Sequence, residues 1–446
     1  MKRHMKFILL TFILGYFSVF WVECKPEHCK LAEKMDFEAI RPLTENVKAD
    51  VFLDASYSMA GYVECSNSFY IRTLQILERA LISGWPQGTR SFYKFGTEIS
   101  RPLPREKILS AAQCGFYGDP NFRHQTRIEK VIDKARPENL TIIVTDLFQN
   151  GADVNLLITK LNEKFLKKEM ALGVLGIKSE FSGNVCDFGV PNLNFSYSTL
   201  DKKKPEDFRP FYILMLGKYA DVKHYYENMK INGLDSFLVE NFIIFSPQLV
   251  EQLASFEKSN LPEIFKLKEV INIVDPHQPN YHIKQFVIHG NPSKAHFQIV
   301  IRLALLPYIV KFDGLNLKSD ISALLYRGSR FEECEVALRG FGVRDLVSSG
   351  SHLRFTADIV PANFPGNGTY CFKIVVHPHQ KSYSLPNWIS DWDMDQNLID
   401  QWRINPAQFK GNTTLNLKNF LNNIWQTIYQ KYRPKITKLY CYVKKG

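Results

Sequence analysis

The chain has 446 residues, of which 45% are hydrophobic and 23% charged. That is the composition of a folded protein, not of a disordered or collagen-like one, and its length allows two or three domains. The net charge of +11 at pH 7 suits an acidic partner, nucleic acid or a membrane surface. Its basic clusters (Lys167-Lys168, Lys202 to Lys204 and Lys444-Lys445) are short and not interleaved with aromatics, so no nucleic-acid partner is expected.

At the N-terminus Lys2, Arg3, His4 and Lys6 precede an uncharged, mostly apolar run from Phe7 to Val22. A membrane span wants about 20 apolar residues, so residues 1–24 read as an export signal. The alternatives are a retained membrane anchor or a lipid attached at Cys24. The expected location is outside the cytoplasm, in a periplasm, a cell envelope or the extracellular space. Eight cysteines follow: Cys24, Cys29, Cys65, Cys114, Cys186, Cys334, Cys371 and Cys441, with no C-x-x-C pair among them. In an oxidising compartment some would pair, Cys65 with Cys114 and Cys334 with Cys371 being the expected partners; free buried thiols are the alternative.

Val47 to Asp54 reads as a buried strand ending in an acid, followed by a loop and by Ile71, Leu74, Leu77 and Leu81 at helical spacing. Arg90 to Phe95 reads as a second strand, and Ile128, Val131 and Ile132 mark a helix that ends before Pro137. Leu140 to Thr145 is a β-branched apolar run, hence a central strand. An amphipathic helix over Val154 to Phe165, strands over Ala171 to Ile177 and Phe211 to Leu216, a helix reaching Met229 and a short strand over Phe242 to Phe245 complete the series. Alternating strands and helices imply crossover connections, so residues 45–250 are expected to form an α/β domain with a doubly wound, mostly parallel sheet. Its ligands should then lie beyond the carboxyl ends of the strands.

The pattern changes near residue 280. Strand-like runs over His282 to Ile288, His296 to Leu305, Ser322 to Tyr326 and Tyr370 to His377 are separated by turn signals such as Gly290-Asn291-Pro292. Residues 280–380 therefore read as a small all-β sandwich domain. Residues 385–446 read as a helical C-terminal tail: Leu417, Phe420, Leu421, Ile424, Trp425 and Ile428 share one helix face, and Ile436 to Val443 forms a closing strand. This tail should pack on one of the two domains.

The chemistry-bearing motif is Asp54-Ala55-Ser56-Tyr57-Ser58, a D-x-S-x-S at the end of the first strand. Thr126 at a loop-to-helix junction and Asp146 at the end of the central strand fall at the same sheet edge, with Thr141 and Thr145 as alternatives to Thr126. Carboxylate and hydroxyl oxygens suit Mg²⁺, Mn²⁺ or Ca²⁺ and not zinc. Ser56 and Ser58 are expected to bind directly, Thr126 directly or through water, and Asp54 and Asp146 partly through water while orienting the hydroxyls. Mostly neutral direct ligands leave the ion's charge poorly neutralised, so a partner's carboxylate can complete its octahedron. Capping of a helix by the same motif is the plainer alternative.

The stretch Val51-Phe-Leu-Asp-Ala-Ser-Tyr-Ser-Met-Ala-Gly61 resembles the first metal-site loop of von Willebrand factor type A domains of the exported, bacterial type, and Thr126 and Asp146 are similar to the second and third loops. Tyr57 stands where that family has a small residue, and Leu147 where Gly commonly follows the Asp. The resemblance covers residues 45–250 and implies a metal ion-dependent adhesion site that binds a protein ligand through an Asp or Glu side chain. No enzyme is expected. An envelope assembly or scaffold protein with a structural metal site, or a metal-dependent hydrolase using Asp54 or Asp146, are the alternatives. Asp391-Trp-Asp393-Met-Asp395 begins with calcium-loop spacing but lacks the Gly at its sixth position, and His377 and His379 flank Pro378 in a strand-end loop. Neither is expected to hold a metal. Asn139, Asn194, Asn367 and Asn412 open N-x-[ST] sequons.

Overall fold

In a computed structural model of the chain, residues 41–147, 154–186, 194–202, 204–237, 240–250, 255–259, 265–270, 283–289, 293–312, 317–327, 330–349, 351–379, 383–394 and 410–446 are described. The expected export signal, Cys24, Cys29 and Asp395 lie outside these residues, as does the side chain of Cys186.

The chain is a mixed α/β protein. Its first sheet has six strands: β1 (Lys48–Asp54), β2 (Thr89–Phe95), β3 (Leu140–Thr145), β4 (Ala171–Ser179), β7 (Arg209–Gly217) and β8 (Glu240–Phe245), in the order β2-β1-β3-β7-β4-β8. β5 (Ser182–Cys186) and β6 (Asn194–Ser198) pair as a separate hairpin. β1 runs parallel to β2 and β3, with Leu53 beside Lys94 and Val144. β7 is antiparallel to both β3 and β4, and β8 is antiparallel to β4. The sheet is thus mixed where a mostly parallel one was expected. The reason lies in one connection. After β4 the chain passes through the β5–β6 hairpin, with no crossover helix among the described residues, and it returns as β7 in the slot between β3 and β4. A return made without a crossover runs antiparallel to the strand it leaves.

Every position of β3, β4 and β7 is buried, because helices cover both faces of the sheet. α1 (Phe69–Gly84) and α5 (Tyr219–Ile231) pack on Leu53, Ile142 and Val144. On the other face, α3 (Ile128–Lys134) and α4 (Val154–Lys164) pack on Phe52, Ile143 and Val174. A single turn, α2 (Arg105–Ile108), lies between β2 and α3. α1 starts where its first amides find acceptors, one from the preceding residue and two at the end of β4. Ser68 Oγ accepts from Ile71 N at 3.3 Å, Glu180 Oε2 from Phe69 N at 2.8 Å and Ser179 Oγ from Tyr70 N at 2.9 Å.

Two further sheets follow. One has the order β10-β11-β22-β18-β14-β15, built from β10 (Phe265–Val270), β11 (Ile283–Ile288), β14 (Leu317–Arg327), β15 (Arg330–Glu333), β18 (Gly368–Pro378) and β22 (Thr437–Lys445). The other has the order β16-β17-β12-β9, built from β9 (Ser255–Ser259), β12 (Ala295–Arg302), β16 (Phe341–Ser349) and β17 (His352–Ile359). Alternate residues Phe297, Ile299 and Ile301 of β12, and Leu353, Phe355, Ala357 and Ile359 of β17, are buried. They face the other sheet, with Phe286 against Phe297 at 5.0 Å and Phe341 stacked on Phe372 at 4.3 Å. Among the described residues two short pairs complete the strands: β13 (Lys311–Phe312) with β19 (Tyr383–Ser384), and β20 (Asp393–Met394) with β21 (Thr414–Leu415).

The tail packs on both regions, not one. α6 (Asn387–Asp391) places Trp388 and Trp392 near the first sheet, Trp392 lying 6.5 Å from Tyr212. α7 (Leu417–Tyr432) buries the expected apolar face, and Tyr432 donates to Asn162 Oδ1 of α4 at 2.7 Å. β22 then enters the six-stranded sheet between β11 and β18. One continuous apolar core accordingly runs from Ile143 and Leu161 through Ile424 and Trp425 to Phe297 and Phe355.

The expected disulfides are absent from the described residues: Cys65, Cys114, Cys334, Cys371 and Cys441 are free. Cys114 donates to Glu64 Oε1 at 3.2 Å instead of meeting Cys65, and Cys371 sits mid-sheet opposite Leu324 and Tyr442. Asp393 Oδ1 accepts from Lys418 N at 2.9 Å at the start of α7, and His377 reaches Asp320 at 3.3 Å. Among the described residues no helix is long and apolar enough to cross a membrane.

Candidate cation site

β1 and β3 deliver Asp54 and Asp146 to the same edge because they are adjacent, parallel and in register. The loop after β1 curls back as a 3-10 turn over Tyr57–Tyr62. Ser56 N donates to Asp54 Oδ1 at 2.9 Å, which turns the chain so that Ser56 Oγ and Ser58 Oγ stand 3.1 Å apart. Ala55 N to Phe95 O (2.8 Å) and Tyr57 N to Arg123 O (3.0 Å) tie this loop to its neighbours.

Thr126 arrives from a different direction. The loop that carries it lies against the end of β2, where Thr97 N donates to Phe122 O and Arg127 N to Gly96 O. The approach is so close that a Cβ on Gly96 would fall 2.0 Å from Phe122 O, so only glycine fits there. Thr126 Oγ1 then stands 3.2 Å from Asp54 Oδ2. Gly61 makes a similar allowance at the other end of the turn, since a Cβ there would lie 2.4 Å from the Phe181 ring.

The structure brings Asp54, Ser56, Ser58, Thr126 and Asp146 to one rim of the sheet, all of them buried. Thr145 joins them: its hydroxyl donates to Asp54 Oδ2 at 2.7 Å and accepts from Leu147 N at 3.2 Å. Thr141, the other alternative, lies four residues back along β3 beside Asp50, away from the rim. Leu147 takes a left-handed conformation (φ 59°) at the position where glycine adopts it without cost. Of the aromatic and apolar neighbours, Met59 and Tyr62 are buried, whereas Tyr57 is 50% exposed at the rim.

Two carboxylates here lie out of water. Burial, and after it the neighbouring charge of Asp146, push Asp54 up to about 7, against the opposing pull of the Ser56 amide and the Thr145 hydroxyl. One charged neighbour leaves almost no trace in the sequence. Arg209, 2% exposed, places Nη2 3.9 Å from Asp146 Oδ2. The only signal for it was a charged residue opening the apolar run Phe211 to Leu216.

The residues fit a hard divalent cation on two counts. Every donor is a carboxylate or hydroxyl oxygen. The 3.1 Å between the two serine hydroxyls matches adjacent corners of an octahedron with arms of ~2.1 Å, which are about 3 Å apart. Among the described residues no group of three or more His, Cys, Asp or Glu is placed to hold a metal, so a cation bound here would depend on the hydroxyls. Compared with known proteins, the chain matches no protein-family model and no curated protein.

Proposed function

We propose that the chain is an exported protein-binding module with a von Willebrand factor A-like, doubly wound first domain, in which a divalent cation at the Asp54 rim grips a carboxylate of a protein partner. The observation that carries this reading is the convergence of Asp54, Ser56, Ser58, Thr126 and Asp146 from three loops far apart in sequence. When bound, Mg²⁺ (or Mn²⁺ or Ca²⁺) would supply an open coordination position with uncompensated positive charge. Ser56 and Ser58 would hold it through neutral hydroxyl oxygens. Asp54 orients that pair through the Ser56 amide and is itself held by Thr126 and Thr145. Tyr57, exposed beside the serines, offers an apolar contact for the partner's surface. The basic, then apolar start of the sequence supports export.

The test is saturable binding of Mn²⁺ to the full chain, followed by retention of acidic peptides with and without chelator. Wild type should bind the ion, and Ser58→Ala should lose tenfold or more in ion affinity. Peptide retention should disappear with chelator. A wild-type protein with no saturable ion binding, or peptide retention indifferent to chelator, removes the reading.

A further inference from the structure

A permanent cation already stands behind this site. Arg209 opens β7, and because β7 runs antiparallel in its slot between β3 and β4, its first residue comes to the rim where those strands end. A parallel strand in that slot would have brought its last residue there instead. The Arg209 side chain is buried, 3% exposed, with Nη2 3.9 Å from Asp146 Oδ2. It lies over the Phe181 ring at 5.3 Å. Nη1 donates to the Gly411 carbonyl at 2.9 Å. That carbonyl belongs to a C-terminal segment fixed beside it by two further bonds, Tyr212 OH to Thr414 Oγ1 at 2.9 Å and Asn412 Nδ2 to Glu206 O at 3.1 Å.

We propose that Arg209 is the built-in counter-cation of this rim: anchored on the C-terminal segment and facing Asp146, it sets how tightly the Asp54–Ser56–Ser58 site takes a divalent ion. The proposal rests on the cation reading above. A fixed positive charge this near the site, in surroundings that screen poorly, opposes entry of a second cation. It also allows Asp146 to stay buried when no ion is bound. With the ion in place, two carboxylates, the guanidinium and the divalent charge leave the rim with one net positive charge. That charge favours an acidic partner over a neutral one.

The experiment compares Mn²⁺ and Mg²⁺ affinity of the full chain, by calorimetry and by ion-induced thermal stabilisation, in wild type, Arg209→Gln, Arg209→Met and Arg209→Lys. Two neutral replacements are used so that one folded variant suffices: Gln keeps a donor for the Gly411 carbonyl, and Met keeps an apolar contact on Phe181. The neutral variants should bind the ion on the order of ten- to hundredfold more tightly than wild type, whereas Lys, which keeps the charge, should stay close to wild type. Neutral variants that bind equally or less tightly overturn the proposal and leave the cation reading standing. Binding in the neutral variants alone removes the cation reading for wild type and, with it, the proposal that rests on that reading. Silence in all four proteins overturns both.

Discussion

Replacing Asp54 by Asn separates the cost of burying this carboxylate from its purpose. The side chain is 0% exposed, and its pKa is pushed from 3.8 to about 7. Between those two values the folded chain holds a proton that the unfolded chain has released, so stability falls as pH rises from about 4 to about 7 and is flat above. At about 1.4 kcal/mol per pH unit, the charged form costs about 4 kcal/mol above pH 7. Asn is neutral and nearly isosteric. It keeps an acceptor for the Ser56 amide but turns an NH₂ towards Thr145, whose hydroxyl already accepts from Leu147 N. That mismatch costs about 1–2 kcal/mol. Asp54→Asn should therefore gain about 2 kcal/mol at pH 8 without divalent ions, and gain nothing or lose slightly at pH 5. Urea unfolding followed by circular dichroism at both pH values measures this. Added Mg²⁺ should stabilise wild type at pH 8 and leave the variant unchanged. Equal destabilisation by Asn at pH 5 and pH 8 would refute the reasoning, because Asp54 would then carry no penalty for its charge.

Two further outcomes follow from the geometry. Gly96→Ala forces a Cβ onto Phe122 O at 2.0 Å, which should cost about 1–3 kcal/mol, and by shifting Thr126 it should weaken Mn²⁺ binding; denaturation and calorimetry on the same sample check both. Tyr57→Ala removes a side chain that is 50% exposed. It should change stability by less than about 0.5 kcal/mol and keep ion binding, yet reduce retention of the acidic partner in a chelator-controlled binding assay.

Strand and helix periodicity was legible wherever an element is buried on a regular face. Leu140 to Thr145 has the bounds of β3, and the apolar face from Leu417 to Ile428 is the one that α7 buries. The β5–β6 hairpin escaped notice because Ser182 to Ser198 has neither a long apolar run nor an amphipathic repeat. Strand β16 is hard to read because its pattern is broken around Arg344 and Asp345, where its register shifts; β17, by contrast, alternates regularly with Leu353, Phe355, Ala357 and Ile359 buried, and its period-2 signal was there to be read. Asp54, Ser56, Ser58 and Asp146 were readable because each sits at or just after a strand end, where position along the chain nearly fixes position in space.

What the sequence determined by itself was local. The residues' own chemistry specified hydroxyl and carboxylate donors at the ends of β1 and β3, and apolar periodicity specified which segments become strands and helices. The order of strands was decided by tertiary structure, because pairing depends on which edge remains open when β7 returns from the hairpin. That choice turned the sheet from mostly parallel to mixed and carried Arg209 to the rim beside Asp146. A charge 63 positions from its partner in sequence, Arg209 against Asp146, leaves no mark in local pattern; only folding sets the distance between them.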